Sequence, residues 1–441
     1  MMTSYIRFFF IYLFIFLPVT LITGPAIPDL TITFGGIFGL LIIIIQKKAL
    51  NLKKNRLIQI SLLFWLSLIF ISFFSTNQMK SFQDSIIYLR YLLIPICCYY
   101  IFFKEEKFFN QLLLVILISV TFVSIDTLYQ FFNYNSKEGF GTDLLGFKSE
   151  WYGRLTGPFG EELIPGAYVS KFGLVGYVFL LNNKFFKNKF FIQSIYLSII
   201  LIVCFASGER MSFASYLLGL IILLFLLNNN RIVILQSLII AIVSIFLIYK
   251  FHPFYNDFKV IESSEHHQGL KIEKFYECEN DINKECSKIL YLQPNIFKIL
   301  QNFSSSAYGE IYLLSLEMFK DNPFTGIGIS NFKLLCENEN KYKKMMQNYG
   351  CASHPHNTYI QWLAEGGLIV FISFILYLYF IYRFIQNNEG NNTNKIISIV
   401  LLIILFWPIM STGSLIKNWY GISVYFIISV SLCISRIRIN N

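Results

Sequence analysis

In "CASHPHNTYIQWLAEGG", His354 and His356 flank a proline and precede Asn357, where a polar segment gives way to a long apolar run. A histidine titrates near neutral pH and suits the task of taking a proton from a hydroxyl group. Asn357, Gln361 and Glu365 recur at every fourth position, a polar stripe on an otherwise apolar helix. Such a stripe faces a water-filled cavity or other helices rather than lipid. The alternative to a site is a packing seam of hydrogen-bonded side chains. Pro355 stiffens the approach, and Asn357 is of the type that caps a helix. Metal chemistry is not favoured, because residues two apart do not share a helical face. The chain also has no His-Glu-x-x-His and no Cys-x-x-Cys spacing.

Three arginines supply the complementary charge. Arg210 lies in "SGERMSFASY", at a junction of two apolar runs with almost no loop between them. Arg154, in "WYGRLTGPFGEE", precedes another run, and Arg90, in "IIYLRYLLIPI", sits one to two turns inside a third. Guanidinium groups bind phosphate oxygens in bidentate fashion, so three at one depth suit a diphosphate. Each also has a plain structural alternative. Arg154 can snorkel to an interface, and the others can form ion pairs with Glu209 or Asp126.

These residues need a frame, and composition points to a membrane. Of the 441 residues 55% are hydrophobic and only 14% charged, against about 25% charged in a soluble domain. The fold class expected is an all-α polytopic membrane protein with about twelve transmembrane helices of roughly 20 residues each. The apolar segments fall near 5–23, 30–46, 57–74, 85–103, 108–128, 163–181, 190–206, 211–227, 232–250, 358–383, 396–412 and 418–435. Short loops such as "QKKALNLKKNR", "NNKFFKNK" and the tail "RIRINN" carry most of the basic residues, which puts both termini in the cytoplasm. The net charge of +10 is read first as this inside bias, and nothing in the motifs points to nucleic acid.

The organisation that follows has helices 1–9 over residues 1–250, with a smaller outer segment near 129–162. A large, partly helical outer loop covers 251–357, and helices 10–12 cover 358–441. The large loop holds all five histidines. Within it Ile311, Leu314, Met318 and Phe319 recur at helical spacing before Asn322-Pro323 ends the helix and "TGIG" turns. Cys278, Cys286, Cys336 and Cys351 also lie there, and an even number in an oxidising compartment points to disulfides. Nearest-neighbour order gives Cys278–Cys286 and Cys336–Cys351, one of several connectivities; free thiols are the alternative. A transporter would place polar groups near mid-bilayer in two related halves. Here they gather towards the outer side, and the sequence shows no repeat.

"HPHNTYIQWLAEGGLIVFI" resembles the signature of the bacterial O-antigen ligase and polymerase superfamily, in which a His-Asn pair opens a span and a spaced Glu and Gly follow. "DNPFTGIGISNF" is similar to the segment before it, "SGERMSF" to a short Ser-x-Ser-Arg-Gly-type junction, and "GRLTGPFGEELIPGAYV" to an Arg-x-x-Gly-x-Phe segment. The matches keep family order over roughly residues 150–385. The chain departs from the family at Glu209 beside Arg210, at "GEE" where many members have Asn-Pro-Asn, and at Glu310 where a basic residue is expected.

The resemblance implies transfer of a glycan from undecaprenyl pyrophosphate to an acceptor hydroxyl, that of lipid A–core or of a second carrier-linked glycan. The reaction would take place at the periplasmic face of the bacterial inner membrane, without a metal or other cofactor. It implies His356 as base with His354 in support, and Arg210 and Arg154 on the diphosphate, with Arg90 a further candidate. Asn357, Gln361 and Glu365 would position the base or a sugar. A ligase is the first expectation and a polymerase the second.

Overall fold

The computed structural model describes residues 2–45, 55–102, 105–135, 139–149, 153–256, 259–260, 275–277, 287–289, 301, 303–346, 349–409 and 411–437. Every apolar segment expected from sequence overlaps a helix, although the helix for 396–412 ends at Leu405 and that for 5–23 at Ile15. These are α1 (Met2–Ile15), α2 (Ala26–Ile45), α3 (Arg56–Ser72), α4 (Gln78–Cys97), α5 (Glu106–Phe132), α6 (Pro165–Asn182), α7 (Phe190–Ala206), α8 (Arg210–Leu226) and α9 (Arg231–Phe251). After three further helices, α10 (Ala307–Asp321), α11 (Phe332–Asn338) and α12 (Asn340–Met345), come α13 (Thr358–Asn387), α14 (Asn392–Leu405) and α15 (Asn418–Ile434). Strands are few: β1 (Tyr134–Asn135) pairs antiparallel with β2 (Gly139–Phe140). β3 (Lys259–Val260), β4 (Phe275–Glu277) and β5 (Ser287–Ile289) form a small sheet in the order β3-β5-β4.

Among the described residues, three helices are long and apolar enough by themselves to cross a membrane: Glu106–Phe132, Asn228–Phe251 and Thr358–Asn387. Several others are apolar but shorter, such as α3, α7, α8 and α15 at 17 residues each. At about 1.5 Å per residue, such a helix reaches about 26 Å against a hydrocarbon core of about 30 Å. Local chemistry explains some of the shortening. Pro18 follows the end of α1, and α4 contains Pro95 and passes into a π-helical turn at Cys98–Phe102.

The chain divides into two units, Met1–Leu112 with Ile299–Asn441, and Leu113–Lys298. In the first, α3 packs on α4 and α13, and an aromatic core fills the space between them. Phe64 lies edge-on to Trp362 at 5.5 Å, and the Tyr88 and Tyr425 hydroxyls share a hydrogen bond of 2.6 Å. In the second, α7 packs between α6 and α9.

The helix expected around Ile311 is α10, capped by Ser306, whose Oγ accepts from Gly309 N at 3.1 Å. It buries Ile311, Leu314 and Met318 against Phe332, Leu335 and Tyr342. Cys336 and Cys351 are joined by a disulfide; Cys278 and Cys286 lie outside the described residues, as do His266 and His267.

The feature that organises the first unit is a break in α13. Gly367 has φ 60° and ψ −165°, a conformation essentially confined to glycine. The break parts the helical bonds between Ala364 and Leu368 and between Glu365 and Ile369, and "NPFTGIG" replaces them. Ile327 N donates to Ala364 O at 3.0 Å and Gly328 N to Glu365 O at 2.9 Å. Leu368 N donates to Pro323 O at 2.8 Å and Ile369 N to Phe324 O at 3.2 Å. All four interrupted backbone groups are thus satisfied, as burial demands. Close approach makes the glycines obligatory: a Cβ on Gly326 would lie 2.5 Å from the Glu365 carbonyl, and one on Gly367 2.4 Å from that of Phe324. Gly367→Ala should therefore cost roughly 3 kcal/mol. Melting of detergent-solubilised protein checks this, with Phe324→Ala, at an exposed side chain, as the near-neutral control.

Candidate active site

The histidines of the first unit sit where α13 begins. Asn357 is its N-cap, with Oδ1 accepting from Tyr359 N at 3.0 Å and Ile360 N at 3.1 Å. Its Nδ2 donates to Pro408 O at 2.8 Å, so the amide ties the helix start to the segment that follows α14. His356, just before the cap, has φ 55°, an unusual backbone for a residue other than glycine. Its carbonyl accepts from Thr412 N at 2.7 Å, which helps hold that conformation.

The two imidazoles lie 4.0 Å apart between centroids, and Tyr308 stands edge-on to His356 at 5.7 Å. His354 is buried, with Nε2 3.4 Å from Thr412 O and Nδ1 2.9 Å from Ser353 Oγ. Ser353 Oγ in turn accepts from Lys417 Nζ at 3.0 Å. A nitrogen facing a carbonyl must carry the proton, so Nε2 donates and Nδ1 accepts. Burial, then the neighbouring His356 and Lys417, push His354 down to about 3. Burial and Lys417 lower His356 as well, against the opposing pull of the Thr412 carbonyl. Both rings are therefore neutral at neutral pH, the form in which an imidazole accepts a proton.

The polar stripe continues inward as a connected seam. Gln361 Nε2 donates to Glu365 Oε2 at 2.9 Å and to Ser414 Oγ at 2.8 Å. The Glu365 carboxylate also accepts from the backbone N–H groups of Phe332 and Ser330. Gln361 and Glu365 thus join α13 to the 410s loop and to the "NPFTGIGISNF" segment, the structural alternative that the sequence left open.

Arg90, in the same unit, is engaged elsewhere. It pairs with Asp29 at 2.8 Å and donates to Asn418 Oδ1 at 2.9 Å and Thr33 Oγ1 at 3.2 Å, joining α2, α4 and α15. Its carboxylate partner is Asp29 rather than the Glu209 or Asp126 considered from sequence.

The second unit holds the other arginines. "GRLTGPFG" is clamped by Gln130 of α5, whose Oε1 accepts from Thr156 N at 3.1 Å and Gly157 N at 2.9 Å. Arg154 projects from this segment and donates from Nη2 to Leu163 O at 2.8 Å. Leu155 N donates to Ser207 O at 3.2 Å, and Gly208 has φ 76°, where a Cβ would lie 2.1 Å from Gly153 O. The Arg154 segment and the α7–α8 junction are thereby held in contact. Arg210 is the exposed first residue of α8. Glu209 accepts from Gly166 N at 2.7 Å, Ala167 N at 3.0 Å and Ser212 Oγ at 3.1 Å. Burial raises its carboxyl, against the opposing pull of Arg154 and Lys171. Asp126 accepts from Leu144 N at 3.0 Å.

Several participants escaped the sequence reading. Lys171 is a lone charge inside an apolar run, a signal that does mark functional or paired positions in spans. Lys417, Thr412 and Ser414 carry no such signal, because only the folded chain brings them to the histidines. Among the described residues no group of three or more His, Cys, Asp and Glu side chains is placed to hold a metal ion.

A helical protein with apolar, membrane-length helices, a neutral histidine pair of which His354 is buried and His356 partly so, and an arginine-bearing junction is thus defined. Residues 195–375 match the family described as O-antigen ligase, from within α7 to within α13. The match takes in Glu209, Arg210, His354, His356, Asn357, Gln361 and Glu365, and leaves Arg90 and Arg154 outside. It supports the O-antigen ligase and polymerase superfamily that the motifs pointed to. None of the curated proteins matches the chain.

The depressed histidine has a consequence for stability. The unfolded chain binds the His354 proton at about pH 6.5 and the folded chain only near 3. The unfolded state therefore holds more protons in that window, and stability present above pH 6.5 is lost as pH falls towards 3. His354→Gln should weaken this dependence, which shows as a smaller drop in melting temperature between pH 7 and pH 4.5 than in the wild type.

Proposed function

We propose that the chain is an O-antigen ligase-type glycosyltransferase. It moves a glycan from undecaprenyl pyrophosphate to an acceptor hydroxyl on lipid A–core, at the periplasmic face of the bacterial inner membrane. The observation that carries the reading is the neutral His354–His356 pair at the cap of α13, inside the segment that matches the O-antigen ligase family. In this reading all twelve apolar helices cross the membrane and both termini are cytoplasmic.

His356 takes the proton of the acceptor hydroxyl, and that oxygen attacks the anomeric carbon of the donor sugar. The bond from that carbon to the diphosphate oxygen breaks, its electron pair leaves with the diphosphate, and the sugar configuration inverts. Arg210 and Arg154 take the diphosphate and stabilise its growing charge as it departs. No metal is required, because guanidinium groups supply the countercharge. His354 shares the Thr412 carbonyl with His356 and keeps its neighbour's ring in place. Asn357, Gln361 and Glu365 act by positioning, since their amide and carboxyl groups bind the helix start and the segments around it. Arg90, engaged by Asp29 and Asn418, braces the helices that surround the site.

Deletion of the gene in its host, with gels of lipopolysaccharide and of carrier-linked glycan, tests the assignment. A ligase leaves bare lipid A–core while long polymer accumulates on the carrier. Lipid A–core capped by a single repeat would assign the chain to the polymerases instead. His356→Ala should lower transfer by roughly 10²–10⁴-fold, and Arg210→Ala by roughly 10²–10³-fold. Restoration of wild-type patterns by either variant overturns that residue's role, and unchanged gels on deletion overturn the function.

A further inference from the structure

We infer that Glu209 is a positioning residue that locks Arg154 and Arg210 into one diphosphate-binding unit. This inference rests on the glycosyltransferase reading and adds to it a residue at which the chain departs from the family pattern.

The geometry shows what the carboxylate does. One oxygen accepts from Gly166 N at 2.7 Å, and the other accepts from Ala167 N at 3.0 Å and Ser212 Oγ at 3.1 Å. Gly166 and Ala167 are in the first turn of α6, and Ser212 is in the first turn of α8. A single side chain therefore joins the starts of two helices, and both ends are electrostatically suited to an anion. A Cβ on Gly166 would lie 2.5 Å from Ser207 Oγ and 3.0 Å from the Glu209 carboxylate, so a larger residue would have to displace these side chains. Arg210 follows Glu209 directly, and any rotation of the Glu209 backbone carries Arg210 with it. The positive charge of Arg154 also bears on the carboxylate.

Arg154, Lys171 and Arg210 bring positive charge to this junction and Glu209 a negative one, and Glu161 and Glu162 lie in the segment between Arg154 and α6. A carboxylate does not itself bind a diphosphate; it acts through the arginines, by fixing the helix starts beside which the Arg154 segment docks, Leu155 N donating to Ser207 O at 3.2 Å. The charged and titratable groups around it are Arg154 from the segment before α6, Lys171 of α6, the Cys204 thiol of α7 and Arg210 of α8. α9, which packs beside α8, carries Arg231 at its first position and Lys250 in its last turn.

The test uses purified full-length protein, a prenyl-diphosphate-linked oligosaccharide as donor and lipid A–core as acceptor, with initial rates from pH 5 to pH 8. Glu209→Gln keeps the shape but not the charge, and should raise KM for the donor about tenfold, the size of one lost charge-assisted hydrogen bond. In the wild type the same loss should appear on acidification, because burial raises the Glu209 carboxyl and protonation removes its charge and turns one acceptor oxygen into a donor. Donor KM should therefore rise as pH falls in the wild type and stay high and flat in Glu209→Gln. Ser212→Ala removes one donor to the carboxylate without altering charge and should raise donor KM about threefold.

A wild-type donor KM in Glu209→Gln, or wild-type pH dependence in that variant, overturns the inference. If Glu209→Gln does not accumulate, an unchanged donor KM in Ser212→Ala overturns it. Wild-type protein that transfers nothing from a prenyl diphosphate at any pH would instead sink the glycosyltransferase reading.

Discussion

The exchange of hydrogen bonds at Gly367 is the constraint on which the first unit depends. A helix that breaks among apolar neighbours strands its backbone groups, each worth several kcal/mol in hydrocarbon. Here a second segment fills the gap, and Ile327, Gly328, Pro323 and Phe324 satisfy what α13 gives up. The same segment then reaches Ser330 and Phe332, whose N–H groups meet the Glu365 carboxylate, while Gln361 joins Glu365 to Ser414. Thr412, close by in the same loop as Ser414, supplies the carbonyl that His354 faces and the N–H that holds His356. The histidines are thus held through a continuous series of bonds that begins at a glycine.

The two units hold their charged and titratable groups in different ways. In the first, burial and the Lys417 ammonium group lower both imidazoles, and Ser353 and Thr412 engage the two ring nitrogens of His354. In the second, the Glu209 carboxylate accepts from the first turns of α6 and α8.

Much of this was legible in the sequence, because local signals decide local structure. Apolar runs marked the long helices but not α11 or α12, Asn357 read as a cap, and the spacing of Ile311, Leu314 and Met318 pointed to α10. Paired groups far apart in the chain were not legible. Arg90 finds Asp29 and Asn418, the latter 328 residues away, and no periodicity announces either partner. The break at Gly367 was hidden for the same reason, since two glycines in an apolar run read equally well as close helix packing. The polar stripe was visible, but its partners lie on Ser414, Ser330 and Phe332, which periodicity along a single helix does not reveal.

The Cys336–Cys351 bridge ends three residues before His354. Such bonds persist where the surroundings are oxidising and are rare in a reducing cytosol. The stretch that leads into the histidines therefore takes its tethered form only where thiols are oxidised. A copy kept among reducing thiols would lack the tether. The bridge in this way makes the approach to His354 sensitive to the redox state of its surroundings.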